Sequence, residues 1–340
     1  MQTRRLLMSA CLASVLALPA FSQTLTVPTT IRIGSPDAGT GGKSSSGSNV
    51  LTIVQHNQWL EQEFAKEGIK VEWIFFRGAG PAVGEALAAK QLDIVYLGDL
   101  ASVIHRAHGL TTRYLMPAAR GTNSYLATAP GVEISTISDL KGRRVSVLKG
   151  TAFQRPFDKL LASAGMTEKD LKLINLDYPS AKAALVAKQI DATFGGADLF
   201  LLKEKGVNLP ISTKGRDSGF TINAGILGTD EFITKYPHIT ARMVKQLVRA
   251  SHWASQESNR EALIKLIVNS SGMSDLSVRF ELENENLKVR FSPLIDDALL
   301  ADYQGVVDDG LKLGLIRKGF DVKAWMAPAF VQQAVRALKP

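Results

Sequence analysis

One short stretch of this sequence occurs twice. Ala89-Lys90-Gln91-Leu92-Asp93 returns as Ala187-Lys188-Gln189-Ile190-Asp191, 98 positions further on. Its surroundings return as well. Each copy closes a stretch of helical spacing and opens an apolar run, residues 94–97 or 192–194, that ends in glycine: Gly98-Asp99 in one case, Gly195-Gly196-Ala197-Asp198 in the other. Upstream of each helical stretch lies a further β-rich run, residues 71–76 or 171–176. A supersecondary unit used twice restricts the fold to two similar α/β lobes.

The rest of the pattern agrees with that reading. Strand-like runs alternate with 3.6-residue spacing through the first two-thirds of the chain, which predicts parallel βαβ units. After about Phe220 the pattern becomes helical, with stripes such as Ala241, Val244, Leu247, Val248 and Ser251, and is expected to contribute no sheet of its own. These helices are expected to pack back on the first lobe. The expected lobes are therefore residues 23–124 with 223–340, and residues 125–222, with crossings near 124–128 and 220–224. Open α/β sheets bind ligands beyond the carboxyl ends of their strands, so the cleft between the lobes is the expected site.

Composition narrows the function. Arg4 and Arg5 precede an apolar run over residues 6–18 and the small-residue exit Ala20-Phe21-Ser22. This has the form of a secretory signal peptide, residues 1–22, cleaved near Ser22, and predicts a mature protein outside the cytoplasm. The single cysteine, Cys11, lies inside it, so residues 23–340 carry neither a disulfide nor a thiolate. Lys and Arg number 40 against 32 Asp and Glu, a net charge of +8 without a basic run. That excess suits a small anion and argues against nucleic acid.

Candidate ligand groups sit where strands hand over to helices. Gly42-Lys43-Ser44 lacks the glycine that a phosphate-binding loop needs five positions earlier, where Asp37 stands. The 44–49 stretch is either a surface loop or a source of hydroxyls and amides, from Ser44 and Ser46, at a helix start. Gly78-Ala79-Gly80, followed by Pro81, makes a turn toward the cleft, because Gly84 is one residue late for a dinucleotide fingerprint. In Lys149-Gly150-Thr151-Ala152-Phe153-Gln154, Thr151 is the expected N-cap, and the free amides of the same turn suit a sulfonate, sulfate, nitrate or phosphate. Arg120, close to Asn123 and the first crossing, is either a surface arginine or a bidentate anion clamp. His105 and His108 share a helix face but lack a third ligand, so no metal or cofactor is expected. No nucleophile–base motif is present, and no catalysis is expected.

Two motifs carry a resemblance. Val71-Glu72-Trp73 with Leu92-Asp93-Ile94, and Ser138-Asp139-Leu140-Lys141-Gly142-Arg143-Arg144-Val145 running into Lys149-Gly150-Thr151, resemble the periplasmic substrate-binding proteins of ABC importers for nitrate, sulfonates and taurine. The aliphatic-sulfonate-binding branch is the most similar. The resemblance implies a two-lobe Venus-flytrap fold of class II-like form, with the solute in the interlobe cleft. It implies a monomeric receptor, not an enzyme, that delivers an organosulfonate or sulfate-ester anion to an inner-membrane permease and its ATPase. The candidate ligand-binding residues are Ser44, Ser46, Gly78, Gly80, Gly98, Asp99, Arg120, Asn123, Gly150, Thr151, Ala152, Phe153, Gln154, Gly196 and Asp198. Amides near Ser46, Gly80 and Thr151 would seat the anion, Phe153 would pack on the tail, and Asp99 or Asp198 would meet its far end. The chain has Gln154 where the family often has histidine, Gly195-Gly196-Ala197-Asp198 where relatives carry Trp and Pro, and a longer Ser-rich loop. Other readings are a receptor for a neutral or cationic heterocycle such as a thiamine precursor, and an exported hydrolase.

Overall fold

The computed structural model describes residues 26–37 and 42–338. The expected signal peptide and residues 38–41, ahead of the Ser-rich loop, lie outside these. Among the described residues ten strands occur: β1 (Thr30–Ser35), β2 (Lys70–Phe75), β3 (Ile94–Gly98), β4 (Thr112–Thr122), β5 (Tyr125–Thr128), β6 (Arg144–Ser146), β7 (Lys172–Ile174), β8 (Ala192–Gly195), β9 (Asn208–Ser212) and β10 (Ile222–Thr229). They form two five-stranded sheets, ordered β2-β1-β3-β10-β4 and β7-β6-β8-β5-β9. In each, three strands run parallel, and β10 or β5 lies antiparallel to its neighbours.

The chain passes from the first sheet to the second between Thr122 and Tyr125 and returns between Ser212 and Ile222. The returning strand corrects the expectation of an all-helical C-terminal third. Residues 222–229 carry Gly225 and Gly228, which break a helical stripe, and β10 inserts between β3 and β4 as a central strand. Tyr114 Cε2 would lie 2.1 Å from a Cβ at Gly225, so only a bare backbone fits under that ring.

The repeated sequence has a physical cause. Helices Ala79–Ala88 and Tyr178–Val186 end in the same cap, with Lys90 at φ 57° and Lys188 at φ 58°, both left-handed. Gln91 N donates to Ala86 O and Lys90 N to Leu87 O; Gln189 N and Lys188 N bond Ala184 O and Leu185 O in the same way. This is the Schellman arrangement, which satisfies the last carbonyls of each helix. The aspartate two residues on then reads the neighbouring strand. Asp93 accepts from Arg32 N at 2.9 Å and Arg32 Nη2 at 2.7 Å, and Asp191 accepts from Arg144 N at 2.7 Å and Arg144 Nη2 at 2.7 Å. Each copy thus locks a helix exit to the start of a parallel strand, in both lobes.

The Arg144 side-chain bond holds the Asp191 carboxyl below its usual range. Because the folded pKa is depressed, its contribution is present above the unfolded carboxylate pKa and is lost as the pH falls through the folded one. Asp191→Ala removes three bonds to one cationic residue, including its backbone N–H. It is expected to cost about 2 kcal/mol at neutral pH, and the deficit should vanish in acid when urea unfolding is followed against pH.

Burial supplies most of the remaining stability. Ile31, Ile33 and Leu115 of the first sheet pack beneath helices Val50–His56, Pro237–Ala254 and Arg260–Ser271 through Val54, Leu247 and Ile267. The second sheet packs through Val145, Ala192 and Phe194 on Phe157, Leu160 and Leu161. Among the described residues no helix is long and apolar enough to cross a membrane.

Candidate functional site

Two adjoining cavities open between the sheets, about 140 Å³ and 170 Å³ in volume. Pro36, Asp37, Ser46, Tyr96, Thr122, Phe153 and Tyr178 border both. The smaller one adds the turns at the strand ends: Gly80, Gly98 and Ala101 from the first lobe, Thr151 and Ala152 from the second. These residues stand at or just ahead of helix starts, where the first amides have no partner within the helix. Helix Ala79–Ala88 begins at Ala79, held at φ 52°, and helix Gln154–Ser163 begins just past Phe153. The amides of Thr151, Ala152 and Phe153 meet no acceptor among the described residues. They form a compact set of donors with a helix dipole behind them, suited to an oxyanion.

Close approach of backbone in this cavity depends on small residues. A Cβ at Gly98 would lie 2.4 Å from Ala152 Cβ, and one at Gly80 would lie 2.7 Å from Ala101 Cβ and 3.5 Å from Gly150 O. Gly98 and Ala152 belong to opposite lobes, so the two walls touch there. His105 Nε2 bonds Gly80 O at 2.9 Å, which ties down the turn; burial lowers the pKa of this histidine.

The larger cavity carries charge in matched pairs. Lys182 Nζ lies 2.6 Å from Asp198 Oδ2 on the second-lobe wall. Arg290 and Glu281 pair on the first-lobe wall, both buried, and Ser48 Oγ donates to the same carboxylate at 3.1 Å. Arg77, at the rim, reaches within 3.9 Å of Asp177 across the cleft. Phe153 and Tyr178 meet edge to face at 5.6 Å. Burial raises the hydroxyl pKa of Tyr96 and Tyr178, so both stay neutral donors. The wall is therefore amphipathic, with aromatic faces between neutralised ion pairs.

Of the residues singled out by sequence, Ser46, Gly80, Gly98, Thr151, Ala152, Phe153, Gly196 and Asp198 border the cavities. Gly196 leaves room for the Phe153 ring, whose Cζ is 3.3 Å from where a Cβ would stand. The others are placed differently. Ser44 is exposed and outside the lining. Gly78 is exposed at the N-cap position of helix Ala79–Ala88, outside the lining. Asp99 is buried and bonds Leu100 N at 2.7 Å and Asn223 N at 3.0 Å; burial pushes it up to about 6 against the pull of Arg155. Asn123 lies at the crossing, bonded to Glu285 and Thr213. Gly150 donates to Gln154 Oε1, and Gln154 faces away from the cleft toward Glu168. Thr151 is not the N-cap: Phe153 holds that position, and the Thr151 hydroxyl donates to Leu148 O at 2.7 Å.

Arg120 is the largest correction. Its guanidinium forms two bonds to Asp296, at 2.8 Å and 3.0 Å, and does not line either cavity. Asp296 itself caps helix Asp297–Lys312 through Leu299 N. Arg120→Ala is therefore expected to lower stability by about 1 kcal/mol, read from urea unfolding, while leaving anion affinity in calorimetry unchanged.

Sequence reading missed Arg77, Tyr96, Tyr178, Lys182, Glu281 and Arg290. One signal was available for Tyr178: the 98-residue offset of the repeat carries Gly80-Pro81 onto Tyr178-Pro179. None marks Glu281 and Arg290, which arrive from the C-terminal helices.

Comparisons with known proteins agree with this architecture. A crystal structure of a sulfonate ABC transporter's periplasmic sulfonate-binding protein, SsuA, from Methylobacillus flagellatus KT matches with a TM-score of 0.74 and 30% identity, over 91% of this chain and 94% of that one. The alkanesulfonate-binding protein SsuA of Xanthomonas axonopodis pv. citri, bound to MOPS, matches with a TM-score of 0.72 at 22% identity, over 89% and 99%. An aliphatic sulfonates-binding protein of Bacillus subtilis (strain 168) is 25% identical over 289 residues, 84% of each chain. These relatives are named as binding proteins. The family model described as NMT1/THI5 like matches residues 63–275. With two lobes, a cleft at the strand ends and these matches, the chain belongs to the NMT1/THI5-like family.

Proposed function

We propose that the chain is an extracytoplasmic receptor that binds an organosulfonate or sulfate-ester anion and delivers it to an ABC permease and its ATPase. The observation that carries the reading is the set of unpartnered amides at Thr151, Ala152 and Phe153, in residues that border the same cavity as Gly80 and Ser46 of the other lobe. A tetrahedral anionic head seated there takes donors from both lobes. The organic part then lies in the larger cavity, between the Phe153 and Tyr178 rings and the Lys182–Asp198 and Arg290–Glu281 pairs. Relatives named as sulfonate-binding proteins support the same ligand class.

Lobes 23–124 with 223–340 and 125–222 are the bodies that close on the solute, and the protein acts as a monomer in the periplasm. Closure follows because the two-walled set of donors is complete only when the lobes meet. The solute leaves chemically unchanged. Isothermal titration with ethanesulfonate, taurine and short alkyl sulfates tests this, alongside carboxylates of equal chain length. Saturable binding of sulfonates or sulfate esters, with recovery of intact solute by NMR, is the expected result. Binding of none of them, or preference for a neutral or cationic heterocycle, overturns it.

A further inference from the structure

Behind the amide-presenting turn runs a line of polar groups that does not reach the cleft. Gly150 donates its N–H to Gln154 Oε1 at 2.8 Å, and Gln154 Nε2 donates to Glu168 Oε1 at 3.1 Å. Glu168 Oε2 receives Lys149 Nζ at 2.8 Å. Gln154 is 3% exposed, so this side chain touches protein and not solute. One turn along the helix from Gln154 lies a second carboxyl, Asp158, whose Oδ1 is buried without a donor among the described residues.

We propose that Gln154, Glu168 and Asp158 are positioning residues for the solute site. They hold the 150–153 turn in its donor-presenting shape while Asp158 keeps its proton, and loosen it when that proton leaves. This rests on the reading of the 151–153 amides as the seat of the anion.

Gln154 and Asp158 stand one turn apart on helix Gln154–Ser163 and Gln154 bonds Glu168, so the two carboxyl groups share one neighbourhood, where two negative charges repel. Burial, and then the Glu168 charge and hydrogen bond, push Asp158 up to about 7, with Lys149 and the Gln154 amide acting in the opposite direction. Other charged groups nearby are engaged elsewhere. Arg155 and Lys159, on the same helix, both pair with Asp309. In the turns packed on this helix, Asp139 bonds the amides of Ser135 and Thr136, and Asp217 accepts from Gly219 N. When Asp158 ionises, Lys149 is shared between two carboxylates and Glu168 is pushed from Gln154. The Gly150 tether then slackens at the foot of the turn.

The test titrates ethanesulfonate, whose charge is constant, into the full chain from about pH 6 to about pH 8.5, either side of that value. Affinity is expected to fall by about fivefold across this range. Asp158→Asn keeps a donor toward Glu168 at every pH and is expected to flatten the profile at the tighter value. Gln154→Ala cuts the line and is expected to bind weakly at every pH. If Asp158→Asn fails to fold, Glu168→Gln is used, for which the midpoint should move to lower pH. Hydrogen exchange of the Gly150 amide in the solute-free protein, corrected for intrinsic rate, should lose protection over the same range in the wild type only. That second readout separates the two readings: absence of ethanesulfonate binding with a pH-dependent Gly150 amide removes the ligand class and leaves the relay. A wild-type profile without slope, an unchanged slope in Asp158→Asn, or normal binding by Gln154→Ala overturns the relay.

Discussion

Replacing Gly98 by alanine is expected to weaken solute binding by about 10- to 100-fold, equivalent to about 1–3 kcal/mol of overpacking. The added methyl would stand 2.4 Å from Ala152 Cβ and 3.8 Å from Ile222 Cγ2. Carbon atoms do not approach so closely, so one wall must retreat. Within the first lobe Gly98 ends β3 beside β10, a rigid central pair, whereas Ala152 sits in a turn of the other lobe. The softer response is to keep the lobes apart. A receptor held open presents its donors singly, and the solute loses the contacts that distinguish the closed state. Calorimetry reads the affinity, and small-angle scattering reads whether the variant compacts with solute. The second change that rescues it is specific: Gly98→Ala with Ala152→Gly removes the opposing methyl and should restore most of the affinity. An unaltered affinity in the single variant would show that the lobes do not meet at this point when solute is bound.

The second large effect concerns stability. Arg290 and Glu281 pair inside the protein, with side chains 1% and 6% exposed. Arg290→Ala leaves the Glu281 carboxylate buried with, among the described residues, only the Ser48 hydroxyl as a donor. Breaking a buried pair in this way is expected to cost about 3–5 kcal/mol, measured as a drop in the urea midpoint. Replacing both partners, Arg290→Met with Glu281→Leu, should recover most of that loss, because desolvation of two charges is then avoided. The double variant should nevertheless bind poorly, since the pair forms part of the cavity wall. A single variant as stable as the wild type would mean that Glu281 is relieved by solvent.

The sequence made the doubled unit legible because the forces behind it are local. A left-handed cap after each helix and an aspartate two residues later are short-range demands, so Lys90 to Asp93 and Lys188 to Asp191 carry almost the same letters. The turns at strand ends were legible for a related reason. Glycines at 80, 98 and 196 stand where backbone must come close to another group. Arg120 misled because an arginine near a crossing has the same appearance in sequence whether it faces solute or a carboxylate 176 positions away.

By itself, the sequence determined the alternation of strand and helix, the two α/β lobes, and the donor-rich turns at their facing edges, since each depends on residues within a turn or two of one another. Only the tertiary structure decided that β10 threads the first sheet, that Asp296 takes Arg120, and that Arg290 and Glu281 border the cleft. Those outcomes depend on which distant partners reach a group first. Coulomb attraction and burial act across space without regard to position along the chain.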